Sequence, residues 1–389
     1  MAPLDLSDSA SFRDEWPVLL ECASPVPDTP RFTGLARSAD WSRLLILAEE
    51  HGVLGHLSRR LPELDENLIP AEIRGTLLER HRAQVFSTLR ITAELFRLLD
   101  LFAAQEIPAL VVKGPVLAMQ AYDDPTMRSY GDLDLLVRQV DIRRATESLQ
   151  ATGYQAVVPL RAIDAGKIPG QYLFSKPDAN LLVELHNDFT LRYFPRPLPL
   201  SKFFERHILV RLDGHEAPAL ALEDELVYIC VHGATHFWGR LSWIADVAAL
   251  VTRHAGLDWQ NVRERAKEVG AERMLHAGLR LASDLLHARL PHKVLVIVQN
   301  DAGAAKLAAC AQEWLNPNSK TSPTLFERAA FRLRMPGSRI AAPAYLLRLS
   351  FSPTEDDWQV DGEIKQNRLL EALRRPFRLA RKYGRTAKS

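Results

Sequence analysis

The heptapeptide Gly131-Asp132-Leu133-Asp134-Leu135-Leu136-Val137 is the stretch from which the fold can be worked out. Its acidic and apolar side chains alternate, which predicts a β-strand with Asp132 and Asp134 on one face and Leu133, Leu135 and Val137 on the other. Two neighbouring carboxylates repel each other unless a positive charge lies between them. Mg²⁺ binds oxygen ligands and keeps positions open for phosphates, so we expect it at this pair.

A strand, a tight turn and a helix are predicted just upstream, from Ala109-Leu110-Val111-Val112-Lys113-Gly114-Pro115. Pro115 suits the first turn of a helix, where its missing N–H costs nothing. A strand–glycine–helix junction offers backbone N–H groups and a positive helix end to an anion. Lys113 adds a point charge suited to phosphate, and Arg128 could add a planar fork. This segment therefore predicts a phosphate-binding turn beside the acidic pair.

A second alternating strand lies downstream, in Leu181-Leu182-Val183-Glu184-Leu185-His186-Asn187-Asp188. If it pairs beside the Asp132 strand, Glu184 becomes a third carboxylate in the same site. Three acids can hold two metal ions about 3.5–4 Å apart, which activates an attacking oxygen and stabilises the leaving one. The competing interpretations are an ordinary edge-strand acid for Glu184 and, for His186, a packed histidine hydrogen-bonded to an acid.

The spacing of the acidic pair does not decide its role. With 48 acids in 389 residues, about six acid-x-acid triplets are expected by chance. A solvated strand face is therefore the alternative. The flanking strand, the Lys113-Gly114 turn and the downstream Glu184 favour a metal site.

These motifs together resemble the uncharacterised nucleotidyltransferase family of the polymerase-beta-like superfamily, and the resemblance covers most of the chain. It is carried by the following segments: Lys113-Gly114, Tyr122…Arg128, 131–137, Gly153-Tyr154, Glu184-Leu185-His186, Leu226…His232…His236, 241–246, 353–358 and 375–379.

The resemblance implies a small mixed sheet with helices and Mg²⁺-dependent transfer of a nucleoside monophosphate from a nucleoside triphosphate, with release of pyrophosphate. The family's paired acids fall on Asp132 and Asp134 and its third acid on Glu184, as catalytic residues and ligands of two Mg²⁺ ions. The superfamily usually has Gly-Ser or Gly-Gly in the phosphate turn, whereas Gly114-Pro115 lacks the serine hydroxyl and one N–H.

The expected nucleotide-binding residues are Lys113, Gly114, Arg128, His186, His232 and His236. ATP is the expected donor because of its cellular abundance. The acceptor, which would offer a hydroxyl or phosphate, is unidentified; small molecules, peptides and protein side chains all stay open. Two alternatives stay open as well: a catalytically weak nucleotide-binding scaffold or partner protein, and a metal-dependent phosphohydrolase or nuclease.

His232 and His236 lie four residues apart, on one face of a helix predicted over 223–237. They could form a metal pair, be core histidines with polar partners, or contact the acceptor or a phosphate. Asp246, on the next predicted helix, could orient one of them.

The composition predicts a globular protein, with 47% hydrophobic and 25% charged residues and a net charge of +1. Near-neutrality argues against a broad nucleic-acid-binding surface. Cys22, Cys230 and Cys310 form no zinc or redox pattern and suggest a reducing compartment. Because no signal-like N-terminus and no transmembrane-length apolar run are found, we expect a cytoplasmic protein.

The periodicity of apolar residues changes twice along the chain, from helical to mixed strand and helix and back to helical. This predicts an α+β nucleotidyltransferase core at 106–218 between an N-terminal helical region at 1–105 and a C-terminal helical region at 219–389. Strands are predicted at 110–113, 132–137, 155–158, 172–174, 181–186 and 208–212. Long helical patterns cover 41–52, 71–105, 142–153, 258–286 and 302–315. The basic tail at 368–388 is expected to be a solvated helix end.

Overall fold

The structure is a computed structural model that describes residues 12–157, 170–187, 200–319 and 323–337, with Ile163 and Pro343 as single residues. Four features of the sequence analysis lie outside the described residues: Asp188, the motifs at 353–358 and 375–379, and the basic tail at 368–388.

In the described part of the N-terminal region, five α-helices are present: α1 (Glu15–Ala23), α2 (Thr29–Ala36), α3 (Trp41–Glu50), α4 (Leu54–Arg60) and α5 (Ala71–Ala103). Asp28 and Asp40 begin α2 and α3, because each side chain accepts hydrogen bonds from backbone N–H groups of the first turn. The two helices predicted here, at 41–52 and 71–105, are present as α3 and α5.

The described residues of the central region form one seven-stranded mixed sheet in the order β3-β4-β5-β2-β1-β7-β6. Its strands are β1 (Ala109–Val112), β2 (Asp132–Val137), β3 (Gln155–Ala156), β4 (Gln171–Lys176), β5 (Leu181–His186), β6 (Ile208–Leu212) and β7 (His215–Ala219). The described connections contain the α-helices α6 (Gly114–Tyr122), α7 (Ile142–Ala151) and α8 (Leu200–Glu205). The predicted α+β class is confirmed.

Strand β7 is the one that the sequence analysis missed, since its polar residues and Pro218 do not suggest a strand. It pairs antiparallel with β6 through Asp213 and Gly214, both of which have positive φ, 44° and 85°. Asp-Gly between two extended segments is a strong hairpin signal, and it could have revealed the strand.

The two central strands are buried on both faces. Leu110, Val112 and Leu136 pack into a cluster with the helices of both terminal regions, whereas Val111 and Leu135 pack into a second cluster with α5 and α7. Both faces of the two central strands are thus covered, and the polar residues of β2, Asp132 and Asp134, lie towards the start of the strand.

Between residues 222 and 337, as far as the structure describes them, seven α-helices follow the sheet: α9 (Leu222–Thr235), α10 (Leu241–Arg253), α11 (Trp259–Glu268), α12 (Glu272–Leu286), α13 (His292–Asn300), α14 (Ala302–Leu315) and α15 (Leu325–Arg334). The helical pattern predicted over 258–286 is present as two helices, α11 and α12, which Gly270, at φ 73°, separates.

The helices of both terminal regions contribute to one hydrophobic cluster, which includes Leu19 and Leu47 from the N-terminal side and Ile244 and Leu279 from the C-terminal side. The division at 1–105, 106–218 and 219–389 stays a prediction.

Within the described residues, no single helix is both long and apolar enough to cross a membrane, although α13 and α14, bent by 85° at their junction, pass on length and composition as a pair.

Candidate active site

Strands β2 and β5 run parallel, with Asp134 opposite Glu184 and Leu136 opposite His186. This pairing brings together residues that are about 50 positions apart in the sequence. Asp134, Glu184 and His186 each offer a ligand atom, and these atoms all lie within 4.8 Å of one another. The sheet therefore places two of the three predicted acids, and the histidine, at one point.

Asp134 is the most enclosed of the predicted acids, and both of its oxygens are engaged. Lys113 Nζ lies 3.0 Å from Oδ2, and His186 Nε2 lies 2.9 Å from Oδ1. Burial would raise the pKa of Asp134, but the charges and hydrogen bonds of Lys113 and His186 hold it well below its usual range. Asp134 is therefore ionised throughout the physiological range.

His186 lies between two acids, since its Nε2 is also 3.5 Å from Glu184 Oε2. Burial alone would lower its pKa, yet the hydrogen bonds to Asp134 and Glu184 raise it to about 9. Gln171 Nε2 donates a 2.5 Å hydrogen bond to the same Glu184 oxygen. These contacts agree with the interpretation of His186 as a packed histidine bound to acids.

Asp132, at the start of β2, shares the cavity with Glu184 and is only partly buried. Burial, followed by the charges of Asp134 and Glu184, raises its pKa to about 6 against the opposing charge of Lys113. Three carboxylates thus face two positive groups, Lys113 and His186. The surplus negative charge, open to the cavity, is what a divalent cation would neutralise.

The turn between β1 and α6 has a strained backbone. Lys113 has φ 58° and ψ −139°, a conformation that side-chain-bearing residues rarely adopt. Gly114 follows at φ 48°, and a Cβ added there would meet no atom within 4 Å, so its conformation and not its packing requires glycine. This turn directs the Lys113 amine to Asp134.

Arg128 lies behind this turn, outside the residues that line the cavity. Its Nε donates to Asp246 Oδ1 at 2.8 Å and its Nη1 to the Gly114 carbonyl at 3.2 Å. Tyr122 donates its hydroxyl to the same Asp246 oxygen at 2.9 Å. Arg128 therefore contacts the backbone of the turn and the buried Asp246, and it does not lie beside the predicted acids. The expectation that Asp246 orients a histidine is wrong, because it binds Arg128 and Tyr122.

Glu225, on α9, is a buried acid close to the charges of the turn. Its side chain is fully enclosed, and burial raises its pKa to about 8 against the charges of Arg128 and Lys113. It adds an ionisable group to the layer behind the turn.

A cavity of about 250 Å³ opens in front of the acids. It is lined by Lys113, Asp132, Gln171, Glu184, His186, Tyr228, Val231, His232, Thr235 and His236. The structure thus brings His232 and His236 to the predicted acids, although they come from a different region of the chain. The sequence analysis missed Tyr228 and Thr235. The available signal was helical spacing, since Tyr228 lies four residues before His232 and Thr235 four residues after Val231.

His232 and His236 have ring centroids 4.6 Å apart, and both rings contact Trp243. Burial, and then the charge of Lys113, lower the pKa of His232 well below its usual range and that of His236 to about 4. Among the described residues, three possible metal ligands come together in Asp134, Glu184 and His186. Neither His232 nor His236 belongs to this group.

Similarity to known proteins is found both in structure and in sequence family. An antigenic nucleotidyltransferase-like protein from Paracoccidioides brasiliensis, known from a crystal structure, is similar over 53% of this chain and 93% of its own, with 14% identity and a TM-score of 0.29. No curated protein matches. The sequence profile of the uncharacterised nucleotidyltransferase family matches residues 37–287. The match covers both strands with the acids, the Lys113-Gly114 turn and α9. The chain therefore belongs to the uncharacterised nucleotidyltransferase family, as its motifs predicted.

Proposed function

We propose that this protein is a Mg²⁺-dependent nucleotidyltransferase. It transfers a nucleoside monophosphate, with ATP as the expected donor, to a hydroxyl or phosphate of an acceptor and releases pyrophosphate. The observation that carries this proposal is the pairing of Asp134 with Glu184 on adjacent parallel strands, beside a cavity that Lys113 also lines. Family membership supports the same general chemistry.

The acids present fit a divalent metal by their chemistry. Mg²⁺ prefers carboxylate oxygens and keeps positions for phosphates. Asp132 and Glu184 line the cavity, and a buried Asp134 oxygen lies within 4.8 Å of a Glu184 oxygen. Burial, and then the charges of Asp134 and Glu184, raise the pKa of Asp132 to about 6, and a divalent cation bound beside it would favour its ionised form. When bound, the metal would polarise the phosphate oxygens and neutralise developing charge.

The remaining roles follow from the positions of the chain's own groups. Lys113, which holds Asp134 at 3.0 Å, would exchange this carboxylate for a phosphate oxygen of the donor. His186 fixes the orientation of the Asp134 and Glu184 carboxylates. Glu184, with Gln171 on one oxygen, would complete the second metal position and help to deprotonate the acceptor hydroxyl. Catalysis by such a site rests on positioning and electrostatics.

The test is pyrophosphate release by the Asp132→Asn and Asp134→Asn variants, with each nucleoside triphosphate and Mg²⁺. Metal-assisted charge stabilisation contributes several kcal/mol, so we expect each variant to lose at least about 1,000-fold in rate. Asp178→Asn, at an exposed acid between β4 and β5, is the matched control and should keep full activity. Unchanged pyrophosphate release by the site variants would refute the assignment.

A scaffold without catalysis is the second candidate, and one observation favours it. Both oxygens of Asp134 already bind Lys113 and His186, so this ion-pair network could take the place of a metal. Thermal unfolding with and without Mg²⁺ and ATP separates the two. The enzyme should be stabilised by the pair of ligands together and lose this effect on removal of Asp132, whereas a scaffold that binds no nucleotide should show no shift.

Product analysis separates transfer to an acceptor from transfer to water. A metal-dependent phosphohydrolase would use the same acids but would yield free nucleoside monophosphate whichever acceptor is added. A nucleotidyltransferase would yield a nucleotidylated acceptor, detectable by mass spectrometry.

A further inference from the structure

One face of α9 and its end forms a wall of the cavity that the proposed chemistry leaves without a role. Tyr228, Val231, His232, Thr235 and His236 all line the cavity. Their spacing of three and four residues places them on one face of the helix. This surface, here called the α9 face, shares the cavity with Lys113 and the acids.

The α9 face is largely aromatic and is backed by a tryptophan. The rings of Tyr228 and His232 are nearly parallel, at 20° and 6.5 Å between centroids, and His232 lies 4.6 Å from His236. Trp243 packs edge-on against His232 at 5.4 Å and tilted against His236 at 5.3 Å. Because the Trp243 ring packs against both imidazoles, their orientations are fixed without a bound ligand.

The α9 face is also uncharged, in contrast to the wall formed by Lys113 and the acids. The Thr235 hydroxyl donates to the Val231 carbonyl of its own helix at 2.7 Å, so its methyl group remains for packing. The lowered pKa values of His232 and His236 keep both imidazoles neutral at pH 7. Neutral imidazoles are poor partners for phosphate, but they can stack against a flat ring.

We propose that the α9 face binds the nucleobase of the donor nucleotide by stacking, with His236 as the outermost ring. This inference rests on the proposed function, since it takes the phosphates to lie at Lys113 and the acids. Pockets that bury a drug-sized ligand usually measure about 300–1,000 Å³, so a cavity of about 250 Å³ encloses only part of a nucleotide. His236 is partly enclosed but is the most solvent-exposed of the five residues of the α9 face, and it lies where the remainder of the ligand would leave the cavity.

The test compares a nucleoside triphosphate analogue, whose methylene bridge resists cleavage between the α- and β-phosphates, with a triphosphate that carries no nucleoside. Binding of α,β-methylene-ATP and of inorganic tripolyphosphate, each with Mg²⁺, is measured by calorimetry for the wild type and for His236→Ala and His236→Phe. Stacking against an aromatic side chain is worth about 1–3 kcal/mol, so His236→Ala should weaken α,β-methylene-ATP about 5- to 150-fold and leave tripolyphosphate unchanged. His236→Phe keeps a ring and should bind both ligands like the wild type. His292→Ala, at an exposed histidine that begins α13, is the matched control.

Three results would overturn the inference. Equal weakening of both ligands by His236→Ala would make His236 a phosphate contact, and no weakening of either would leave the α9 face for an aromatic acceptor. A His236→Phe variant as weak as His236→Ala would show that the histidine nitrogens, and not the ring, bind the ligand.

An adenosine titration separates this inference from the proposed function. If the wild type binds adenosine in a His236-dependent manner but does not bind tripolyphosphate with Mg²⁺, the stacking surface stands and the triphosphate chemistry fails. If tripolyphosphate binds and His236→Ala leaves α,β-methylene-ATP unaffected, the chemistry stands and the stacking surface fails.

Discussion

Replacing Arg128 by leucine tests whether this residue stabilises the Lys113-Gly114 turn, as its contacts indicate, or binds phosphate, as the sequence analysis predicted. Its side chain is 11% exposed and its partner Asp246 is 3% exposed. Arg128→Leu would leave the Asp246 carboxylate buried with the Tyr122 hydroxyl as its remaining hydrogen bond of those described above. It would also free the Gly114 carbonyl, which Arg128 now binds.

The expected loss of stability is large. Removing one partner of a buried ion pair costs about 3–5 kcal/mol, because the other charge stays buried without compensation. The lost hydrogen bond to Gly114 adds about 1 kcal/mol. Replacing both partners by apolar groups removes the buried charge, so the double variant Arg128→Leu/Asp246→Leu should lie within about 2 kcal/mol of the wild type. The two substitutions should thus be strongly non-additive.

The assay is urea unfolding, followed by tryptophan fluorescence, of the wild type, both single variants and the double variant, with ATP affinity measured on the folded proteins. Arg128→Lys is the control, since it keeps the charge but not the planar fork. If Arg128→Leu unfolds within about 1 kcal/mol of the wild type and its ATP affinity collapses, the residue is a phosphate ligand and the reasoning above is refuted.

Substitutions at three positions test the site itself, all measured by thermal unfolding without metal. Asp132→Asn should be more stable than the wild type at pH 8 and lose this advantage towards pH 4. The pKa of Asp132 is raised to about 6 in the folded protein, so ionising this carboxyl at a pH above its unfolded-state pKa destabilises the fold. A stability difference that stays constant across pH would contradict this. The wild type should lose stability as pH rises from about 6.5 to 9, and His186→Gln should lack this loss. The pKa of His186 is raised to about 9 in the folded protein, so its protonation stabilises the fold below the unfolded-state pKa, and this contribution disappears as pH rises through the folded-state pKa. Parallel stability profiles of the two proteins across pH would count against it. Lys113→Gly should be more stable than Lys113→Ala by about 1–3 kcal/mol, because only glycine tolerates φ 58° and ψ −139° without strain; equal stabilities would show an unstrained turn.

Much of the fold follows from short windows of sequence. The alternation in 131–137 and 181–186 was sufficient to predict β2 and β5, and the Val112-Lys113-Gly114-Pro115 run to predict a strand, a turn and a helix. These features depend on neighbours within a few residues, and local sterics and side-chain periodicity act over that distance. β7 was missed because a strand of polar residues with a proline is stabilised by its partner β6 and not by its own propensity.

The site depended on contacts that no local pattern contains. Asp134 and His186 are 52 residues apart, and Arg128 and Asp246 are 118 residues apart. The sequence could indicate that Glu184 would join the acids only if two strands paired. It could not indicate that Lys113 would bind Asp134, since the direction of a long side chain depends on the charges that the fold places around it.

The sequence by itself therefore determined the family, the α+β class and the residue types available for the chemistry. The tertiary structure decided which of these residues meet: it placed Lys113 and His186 on Asp134, moved Arg128 behind the turn, and brought His232 and His236 across the cavity from the acids. The physical reason is that a side chain's role depends on its burial and on its charged neighbours, and these are set by the packing of distant segments against one another.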